Sequence, residues 1–172
     1  MIENRGKAFQ LSVTALFAAI VCIGTILIRI PIPATNGYIH LGDAFVILSG
    51  LFLGPVYGAA AAGIGAALAD LIGGYVLYAP VTLVVKICMA VGAWVICHKL
   101  VKEQINIFIR CVLAGIFATL INVAGYLGYE FVIYGMTAFL SVPANFVQGI
   151  SGLIISSYLY PVLKKRLAGQ NK

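Results

Sequence analysis

An apolar stretch in the first half of the chain is too long to be a single membrane helix. From Leu41 to Tyr75 it runs for about 35 residues and carries only two charges, Asp43 and Asp70. As one α-helix at about 1.5 Å per residue it would be roughly 50 Å long, whereas the hydrocarbon core of a bilayer is about 30 Å thick. Gly54-Pro55 divides the stretch, and proline, which has no N–H, fits the first turn of a second helix. We therefore predict a pair of membrane helices that folds back at Gly54-Pro55 and returns both aspartates to the same side.

The composition indicates an integral membrane protein. Of the 172 residues, 62% are hydrophobic and only 9% are charged, and the mean hydropathy is +1.07, which no ordinary soluble domain approaches. The chain begins MIENRGKAF, without a small-residue cleavage site after a short apolar core, so we expect the first apolar segment to be retained as a helix. The four cysteines lie in or beside apolar segments without a CxxC pair, so we interpret them as packing residues.

Six membrane spans account for the whole chain. Besides the folded-back pair, which gives spans 2 and 3, four further spans are predicted at about 8–30, 81–100, 108–133 and 143–163. Six spans fit in 172 residues only if the loops are short. The prediction is therefore a single domain over 1–172, an all-α six-transmembrane-helix bundle without a soluble domain.

Basic residues predict the orientation of this bundle. They precede span 1, separate spans 4 and 5, and follow span 6, at Arg5, Lys7, Lys99, Lys102, Arg110, Lys164, Lys165 and Arg166. An even number of spans separates these places, so all can lie in the cytoplasm, as the positive-inside rule prefers. Both termini are then cytoplasmic. The net charge of +6 is explained by topology and indicates no nucleic-acid partner.

Polar and aromatic residues concentrate at the opposite, outer end. The three outer loops, at about 31–42, 73–80 and 134–142, and the adjoining helix ends hold Tyr38, His40, Asp43, Asp70, Tyr75, Tyr78, Tyr126, Tyr129, Glu130, Tyr134 and Asn145. An interfacial aromatic belt is an equally good explanation for any single tyrosine, but not for the polar groups inside the membrane. Asp43 could instead cap a helix, and we expect His40 to be a loop or interface histidine and not a metal ligand.

Lys86 is the most informative of the polar residues, because it lies about two turns inside span 4, where an unpaired charge would cost several kcal/mol. It should face the bundle, either in a structural salt bridge to Asp70 or Glu130 or in contact with a ligand. Asn145 lies at a similar depth in span 6, so a ligand about one ring across could bridge the two. We therefore predict Lys86 and Asn145 as pocket residues, with Tyr126 and Glu130 as the next candidates.

Two helices carry polar faces that should line the same pocket. Asn122, Tyr126, Tyr129 and Glu130 follow i, i+4, i+7 and i+8 spacing on span 5, which places them on one helix face. Asn145 and Gln148 form a second face on the outer turns of span 6. A pocket with amides, charges and tyrosines suits a small, flat, polar ring.

A second surface runs along span 1. Residues without bulky side chains recur at helical spacing at Ala8, Ser12, Ala15, Ala19 and Cys22. Such small-residue faces let another helix approach closely. The glycines and alanines of span 3 make it similarly slender, although packing inside the bundle explains those equally well.

The sequence lacks the motifs that several kinds of enzyme or metal site require. The sequence has no GxxxxGK[ST] phosphate loop, no HExxH zinc motif and no CxxC redox pair. Gly149-Ile150-Ser151-Gly152 matches the GxSG of intramembrane serine proteases, but no histidine follows it, so we interpret it as close helix packing. We expect no enzyme, no cofactor and no metal. A stand-alone secondary transporter of a small polar metabolite is the alternative, which would need internal repeats and broken midplane helices.

The run GYIHLGDAFVILSGLFLGPVYGAAAAGIGAALADLIGGY, from Gly37 to Tyr75, carries a family resemblance. Together with the small-residue face of span 1, the size and the six-span layout, it resembles the substrate-binding S components of energy-coupling-factor (ECF) vitamin importers. The likeness is closest to the riboflavin-transporter-like branch, which also includes hydroxymethylpyrimidine and pyridoxine carriers.

The resemblance implies a function that the residues alone do not. It implies a bundle that captures a vitamin from outside, near the ends of spans 4 to 6 and under the first loop. It also implies partners, namely a transmembrane coupling subunit and two ATP-binding subunits that use the ATP, and a multi-pass location in a bacterial plasma membrane. The residues that it assigns to docking on the coupling subunit correspond here to Ala15 and Ala19.

Overall fold

The described part of the chain contains five α-helices, one short β-hairpin and two short helical segments of other types. The computed structural model describes residues 6–27, 29–32 and 37–169. The helices are α1 (Lys7–Leu27), α2 (Asp43–Ile72), α3 (Ala79–Val95), α4 (Ile107–Tyr134) and α5 (Val142–Gly169), and the hairpin strands are β1 (Arg29–Ile32) and β2 (Gly37–His40). Four stretches are long and apolar enough to cross a membrane, at Lys7–Leu27, Asp43–Ile72, Ala79–Leu100 and Ile107–Leu167, the last containing both α4 and α5. The all-α membrane fold is confirmed.

Helix α2 is broken at the predicted position. Gly54 has φ 84° and ψ −175°, a backbone conformation that favours glycine because a side chain would clash there. Pro55 follows and begins the second helical segment. The Ser49 hydroxyl donates to the carbonyl oxygen of Gly58 at 3.0 Å, whereas nine residues of straight helix would separate these groups by about 13 Å. The two segments of α2 therefore fold back on each other, as the length of the apolar stretch requires.

Small residues let the folded-back pair pack against its neighbours at backbone distance. A Cβ on Gly50 would lie 2.2 Å from the carbonyl oxygen of Ala90 in α3, and one on Gly65 would lie 2.4 Å from that of Ala18 in α1. Any larger residue would push these helices apart. Gly65 of span 3 therefore serves packing inside the bundle. This is one of the two explanations that the sequence allowed for the small residues of span 3.

The GISG segment of α5 also serves helix packing, as interpreted from the sequence. A Cβ on Gly149 would lie 2.4 Å from Thr119 Cγ2 in α4, and one on Gly152 would lie 2.9 Å from the Cβ of Asp43. The second contact brings α5 against the first turn of α2. This close approach holds α5, which carries Asn145 and Gln148 of the site described below, against α2.

The hairpin replaces the end of the first predicted span. That span was predicted to reach Ile30, but α1 ends at Leu27, and β1 pairs antiparallel with β2 with Arg29 opposite His40. Pro31 is tolerated because a two-stranded sheet consists only of edge strands. Residues 33–36 of the predicted outer loop, and Arg5 among the basic residues, lie outside the described residues. The pairing depends on contacts between segments, which the apolar pattern of span 1 does not contain.

The other predicted boundaries agree with the structure within a few residues at most helix ends. Two short helical segments extend the predicted pattern: a π-helical turn, Ile96–Leu100, continues α3, and a 3₁₀ helix, Gly135–Ser141, joins α4 to α5. The C-terminal helix continues to Gly169, past the predicted end of span 6 at 163. The basic residues after span 6 are therefore helical.

Candidate functional site

A cavity lies beside the hairpin, where the ends of α2, α3, α4 and α5 meet. Its side chains nearly close it, so that only about 20 Å³ is open to a water-sized sphere. Its lining is mostly polar and aromatic and comprises Ile32, Tyr38, His40, Asp70, Tyr78, Thr82, Tyr126, Glu130, Asn145 and Gln148. Eight of these were predicted from the sequence as ligand-binding candidates. Strand β2 covers a site whose walls come from the helix bundle.

Glu130 anchors the wall formed by α4 and the start of α5. Its carboxylate is 2% exposed and accepts hydrogen bonds from the Tyr78 hydroxyl at 3.1 Å and from the Ser141 hydroxyl. Asn145 in turn donates from Nδ2 to the Ser141 oxygen at 3.3 Å. Both carboxylate oxygens of Glu130 are thus held by protein donors, which stabilises the charge and fixes this wall.

Asp70 and Tyr38 form the opposite wall. The Tyr38 hydroxyl donates to Asp70 Oδ1 at 2.5 Å, and burial, reinforced by the Asp70 carboxylate, raises the pKa of Tyr38 above its usual value. The hydroxyl therefore keeps its proton. The Arg29 guanidinium lies 4.9 Å from the centre of the Tyr38 ring and donates from Nη2 to the Ala69 carbonyl at 2.8 Å, so it fastens β1 to the end of α2.

His40 is fixed between β2 and the bundle. Its Nδ1 accepts a hydrogen bond from the Gly42 amide at 3.0 Å, and its own amide donates to Gln148 Oε1 at 3.1 Å. Burial lowers the pKa of His40 to about 4, so the ring is neutral at pH 7 and carries its proton on Nε2. Among the described residues, no group of three or more His, Cys, Asp or Glu side chains could hold a metal ion.

A fully buried ion pair adjoins the cavity. Lys86 Nζ lies 2.6 Å from Asp43 Oδ1 and 2.7 Å from Asn122 Oδ1, and the side chains of both ion-pair partners are 0% exposed. Gln148 Nε2 donates to Asp43 Oδ2 at 2.9 Å. Because Gln148 also lines the cavity, the ion pair is one side chain removed from it.

Two interpretations made from the sequence are wrong at this pair. The partner of Lys86 is Asp43, neither Asp70 nor Glu130, and the residue at the N-cap of α2 is Gly42, with no capping bond from Asp43. Both errors have one cause. Asp43 is the first residue of α2, yet it meets Lys86, which lies about two turns inside α3, roughly 10 Å from the start of that helix. Helix α2 thus begins about two turns deeper in the bundle than α3 does.

The remaining predicted residues fall into three groups. Lys86, Asn122 and Asp43 lie beneath the cavity, with Lys86 Nζ 5.2 Å from the centre of the Tyr126 ring. Tyr129, predicted on the same face as Tyr126, instead donates to the Leu77 carbonyl. Tyr75 packs its ring 4.3 Å from that of Tyr38.

Thr82 and Ile32 line the cavity but were missed from the sequence. The Thr82 hydroxyl is 2.9 Å from that of Tyr126. Thr82 lies one turn before Lys86 on the same helix face, and this i, i+4 spacing could have identified it. Ile32 could not have been found without the hairpin, because it reaches the cavity only through the pairing of β1 with β2.

The small-residue face of α1 is exposed at its centre. Ala15 and Ala19 are exposed, whereas the neighbouring Ala18 is half-buried and meets Gly65 of α2. A shallow apolar groove runs between α1 and the second segment of α2, lined by Leu11, Thr14, Ala15, Ala18, Ala19, Cys22, Ile23, Ala60, Ile64 and Leu68. The predicted docking residues therefore lie on an accessible concave surface.

Comparison with known proteins identifies the family. The family described as "ECF-type riboflavin transporter, S component" matches residues 7–165. The chain belongs to this family. The resemblance seen in the sequence is thereby confirmed, and the protein is a membrane transport component and not an enzyme.

Two individual proteins are similar to this chain. A protein of Pyrococcus woesei, described as an uncharacterized protein in gap 3' region, is 38% identical over 148 residues, covering 86% of this chain and 96% of its own. A solved structure, described as "Structure and mechanism of the S component of a bacterial ECF transporter", superposes with a TM-score of 0.69 at 18% identity, covering 94% of this chain and 99% of the other. At that identity the superposition establishes the shared fold.

Proposed function

We propose that this chain is the riboflavin-binding subunit of an ECF importer, in a cell membrane, which captures the vitamin from outside and delivers it through a coupling subunit. The single observation that carries the proposal is the cavity, in which tyrosines and hydrogen-bonding side chains converge from the hairpin and four helices. The family description names riboflavin. Hydroxymethylpyrimidine and pyridoxine are the competing ligands.

The cavity chemistry suits a flat heterocycle. Tyr78 and Tyr126 supply aromatic rings, whose ring centres are 6.4 Å apart, and aromatic faces stack on planar ligands. The Asn145 amide can donate and accept, which matches the alternating hydrogen-bonding edge of a flavin or pyrimidine ring. A mostly enclosed site with a few directed polar groups is typical of small-molecule recognition.

Direct titration tests the ligand. Purified protein, freed of co-purified small molecules, is titrated calorimetrically with riboflavin, hydroxymethylpyrimidine and pyridoxine in turn. We expect riboflavin to bind with a Kd below about 1 µM, corresponding to roughly −8 kcal/mol, and the other two to bind at least tenfold more weakly. Preferential binding of either competitor would reassign the ligand within the same mechanism, and binding of none of the three would contradict the proposal.

We also propose that the chain crosses the membrane six times with both termini in the cytoplasm. The two segments of α2 supply two spans, and α1, α3, α4 and α5 supply one each. The basic clusters then fall on one side, as the positive-inside rule favours. The cavity lies at the opposite end, which faces outward and can receive a ligand from the medium.

Cysteine labelling tests this topology. In a background without the four native cysteines, single cysteines replace Leu77 or Met136, which are 73% and 75% exposed, or Lys102 in the exposed link after α3. A membrane-impermeant thiol reagent added to intact cells should label positions 77 and 136, and position 102 only after the membrane is opened. Labelling of position 102 in intact cells would overturn the six-span arrangement.

The proposed mechanism separates capture from energy supply. The sequence contains no ATP-binding phosphate loop, so the ATP would be used by two partner subunits. The coupling subunit would contact the exposed small-residue face of α1. The vitamin site and the docking face lie on different surfaces of the bundle, which makes the two activities separable by mutation.

A further inference from the structure

The cavity contains a buried carboxylate oxygen that has no hydrogen-bond partner among the described residues. Asp70 is 3% exposed, and its Oδ1 accepts from the Tyr38 hydroxyl. Its Oδ2 is buried and has no hydrogen-bond partner among the described residues. An unsatisfied buried carboxylate oxygen carries a substantial desolvation cost, so such groups are rare without a ligand, ion or water.

The surroundings of Asp70 show what kind of donor is missing. Arg29 is close by but directs its guanidinium to the Ala69 carbonyl and the Tyr38 ring. Lys86 is already paired with Asp43. In contrast to Asp70, the other carboxylate in the cavity, Glu130, has a protein donor on each oxygen. The Thr82 hydroxyl lies near the Asp70 carboxyl group and 2.9 Å from the Tyr126 hydroxyl, but it makes no hydrogen bond to Oδ2. Asp70 Oδ2 is thus the oxygen of this carboxylate that a bound molecule could use.

We propose that Asp70 Oδ2 accepts a hydrogen bond from a hydroxyl of the polyhydroxylated side chain of the vitamin, and that Tyr38 is a positioning residue that fixes the carboxylate. This inference rests on the proposed function, because it assigns part of the same ligand to one wall of the same cavity.

Two physical arguments favour a hydroxyl. The positive charge of Arg29, next to the carboxylate, disfavours a cationic ligand group and favours a neutral donor. A flavin ring edge presents its N–H between two carbonyl oxygens, which would meet the acceptor-only carboxylate unfavourably. A hydroxyl on a flexible chain presents its donor without flanking acceptors. The ring edge is better matched by Asn145, which both donates and accepts.

Asp70→Asn tests the assignment with two probes. Lumiflavin has the same ring as riboflavin, but a methyl group replaces the hydroxylated chain. Asparagine keeps an oxygen for Tyr38 and replaces the charged Oδ2 acceptor with a neutral N–H₂ group, so a ligand hydroxyl that turns to accept from it forms only a weaker, neutral hydrogen bond. We expect Asp70→Asn to weaken riboflavin binding by about tenfold to a hundredfold and lumiflavin binding by less than about threefold, measured by calorimetry.

Matched variants make the result specific. Glu103→Gln neutralises an exposed carboxylate in the link after α3 and should leave both affinities unchanged. Tyr38→Phe removes the bond that fixes Asp70 and should weaken riboflavin binding several-fold with little change for lumiflavin. It provides the same test if Asp70→Asn does not purify as a monodisperse protein.

The outcomes separate this inference from the function on which it rests. An equal loss for both probes would place the ring, and not the chain, at Asp70, and no loss would show that the chain does not donate to the Asp70 carboxylate; either overturns the inference alone. If lumiflavin fails to bind the wild type, an unchanged riboflavin affinity in Asp70→Asn still overturns the inference. Absence of riboflavin binding to the wild type would overturn the proposed function and this inference together.

Discussion

Lys86→Met is expected to lower the free energy of unfolding by about 3 to 5 kcal/mol. The substitution leaves the Asp43 carboxylate fully buried, with the Gln148 amide at 2.9 Å as its remaining hydrogen-bonded side-chain donor. Removing one member of a buried ion pair is costly because the other charge stays in a low-dielectric interior without compensation. Asp43→Asn should cost a similar amount, since it leaves the ammonium group with amide partners only.

The double variant distinguishes charge pairing from packing. In Lys86→Met combined with Asp43→Asn neither charge remains, so most of the stability lost in the single variants should return. Thermal unfolding in detergent compares the stabilities of the four proteins of the cycle, which are the wild type, the two single variants and the double variant. Lys102→Met, which removes an exposed charge in the link after α3, should stay within about 0.5 kcal/mol of the wild type.

Near-additive losses in the double variant would contradict this account of the ion pair. They would mean that each side chain contributes through packing, and that the pair adds no coupling energy. The same proteins also report on the vitamin site. Gln148 and Tyr126 separate Lys86 from the cavity. In the folded Lys86→Met protein, the loss in binding free energy of the ligand should therefore be smaller than the loss in free energy of unfolding.

The break in α2 could be predicted from the sequence because its causes are local. The length of the apolar stretch, the conformational freedom of Gly54 and the missing N–H of Pro55 all act within a few residues. Each of these constraints is independent of which other helices are present. The structure shows the same position for the turn and the contact between Ser49 and Gly58 that follows from it.

The cavity residues could be predicted because exposing a polar side chain to lipid is costly. A carboxylate such as Glu130 or an amide such as Asn145 must turn toward the bundle interior, and their positions near one end of their helices give their depth. Depth and orientation together predict that most of the lining residues lie near one another, although no contact between them can be derived from the sequence. It could not show which oxygens would be paired and which, like Asp70 Oδ2, would not.

The pairing of Lys86 with Asp43 could not be predicted, because it depends on how deep α2 begins. Sequence reasoning placed the start of this helix at the outer surface, which put Asp43 too far from Lys86. The hairpin changes that distance: β1 and β2 cover the site, and the chain enters α2 below them. The hairpin register, with Arg29 opposite His40, is a contact between two segments of the chain, and the apolar pattern that predicts the spans contains no information on it.

Ala15→Trp or Ala19→Trp is expected to abolish vitamin uptake while leaving ligand affinity within about twofold of the wild type. Both alanines are exposed on α1, so an indole can be accommodated without disturbing the bundle. A partner helix that approaches small residues at close range would be held away by the larger side chain. Uptake is measured in cells that contain the coupling and ATP-binding subunits, and affinity by calorimetry on the purified variants.

Leu16→Trp is the matched control, because Leu16 is 58% exposed on the same helix but is not among the groove residues. It should reduce uptake little. If Ala15→Trp and Ala19→Trp also lose ligand binding, the small-residue face contributes to the fold and not to docking. If both retain normal uptake, the coupling subunit contacts another surface. Uptake by this chain alone in ATP-depleted vesicles would instead indicate a stand-alone carrier, because a subunit that depends on docking has no other source of energy in its own sequence.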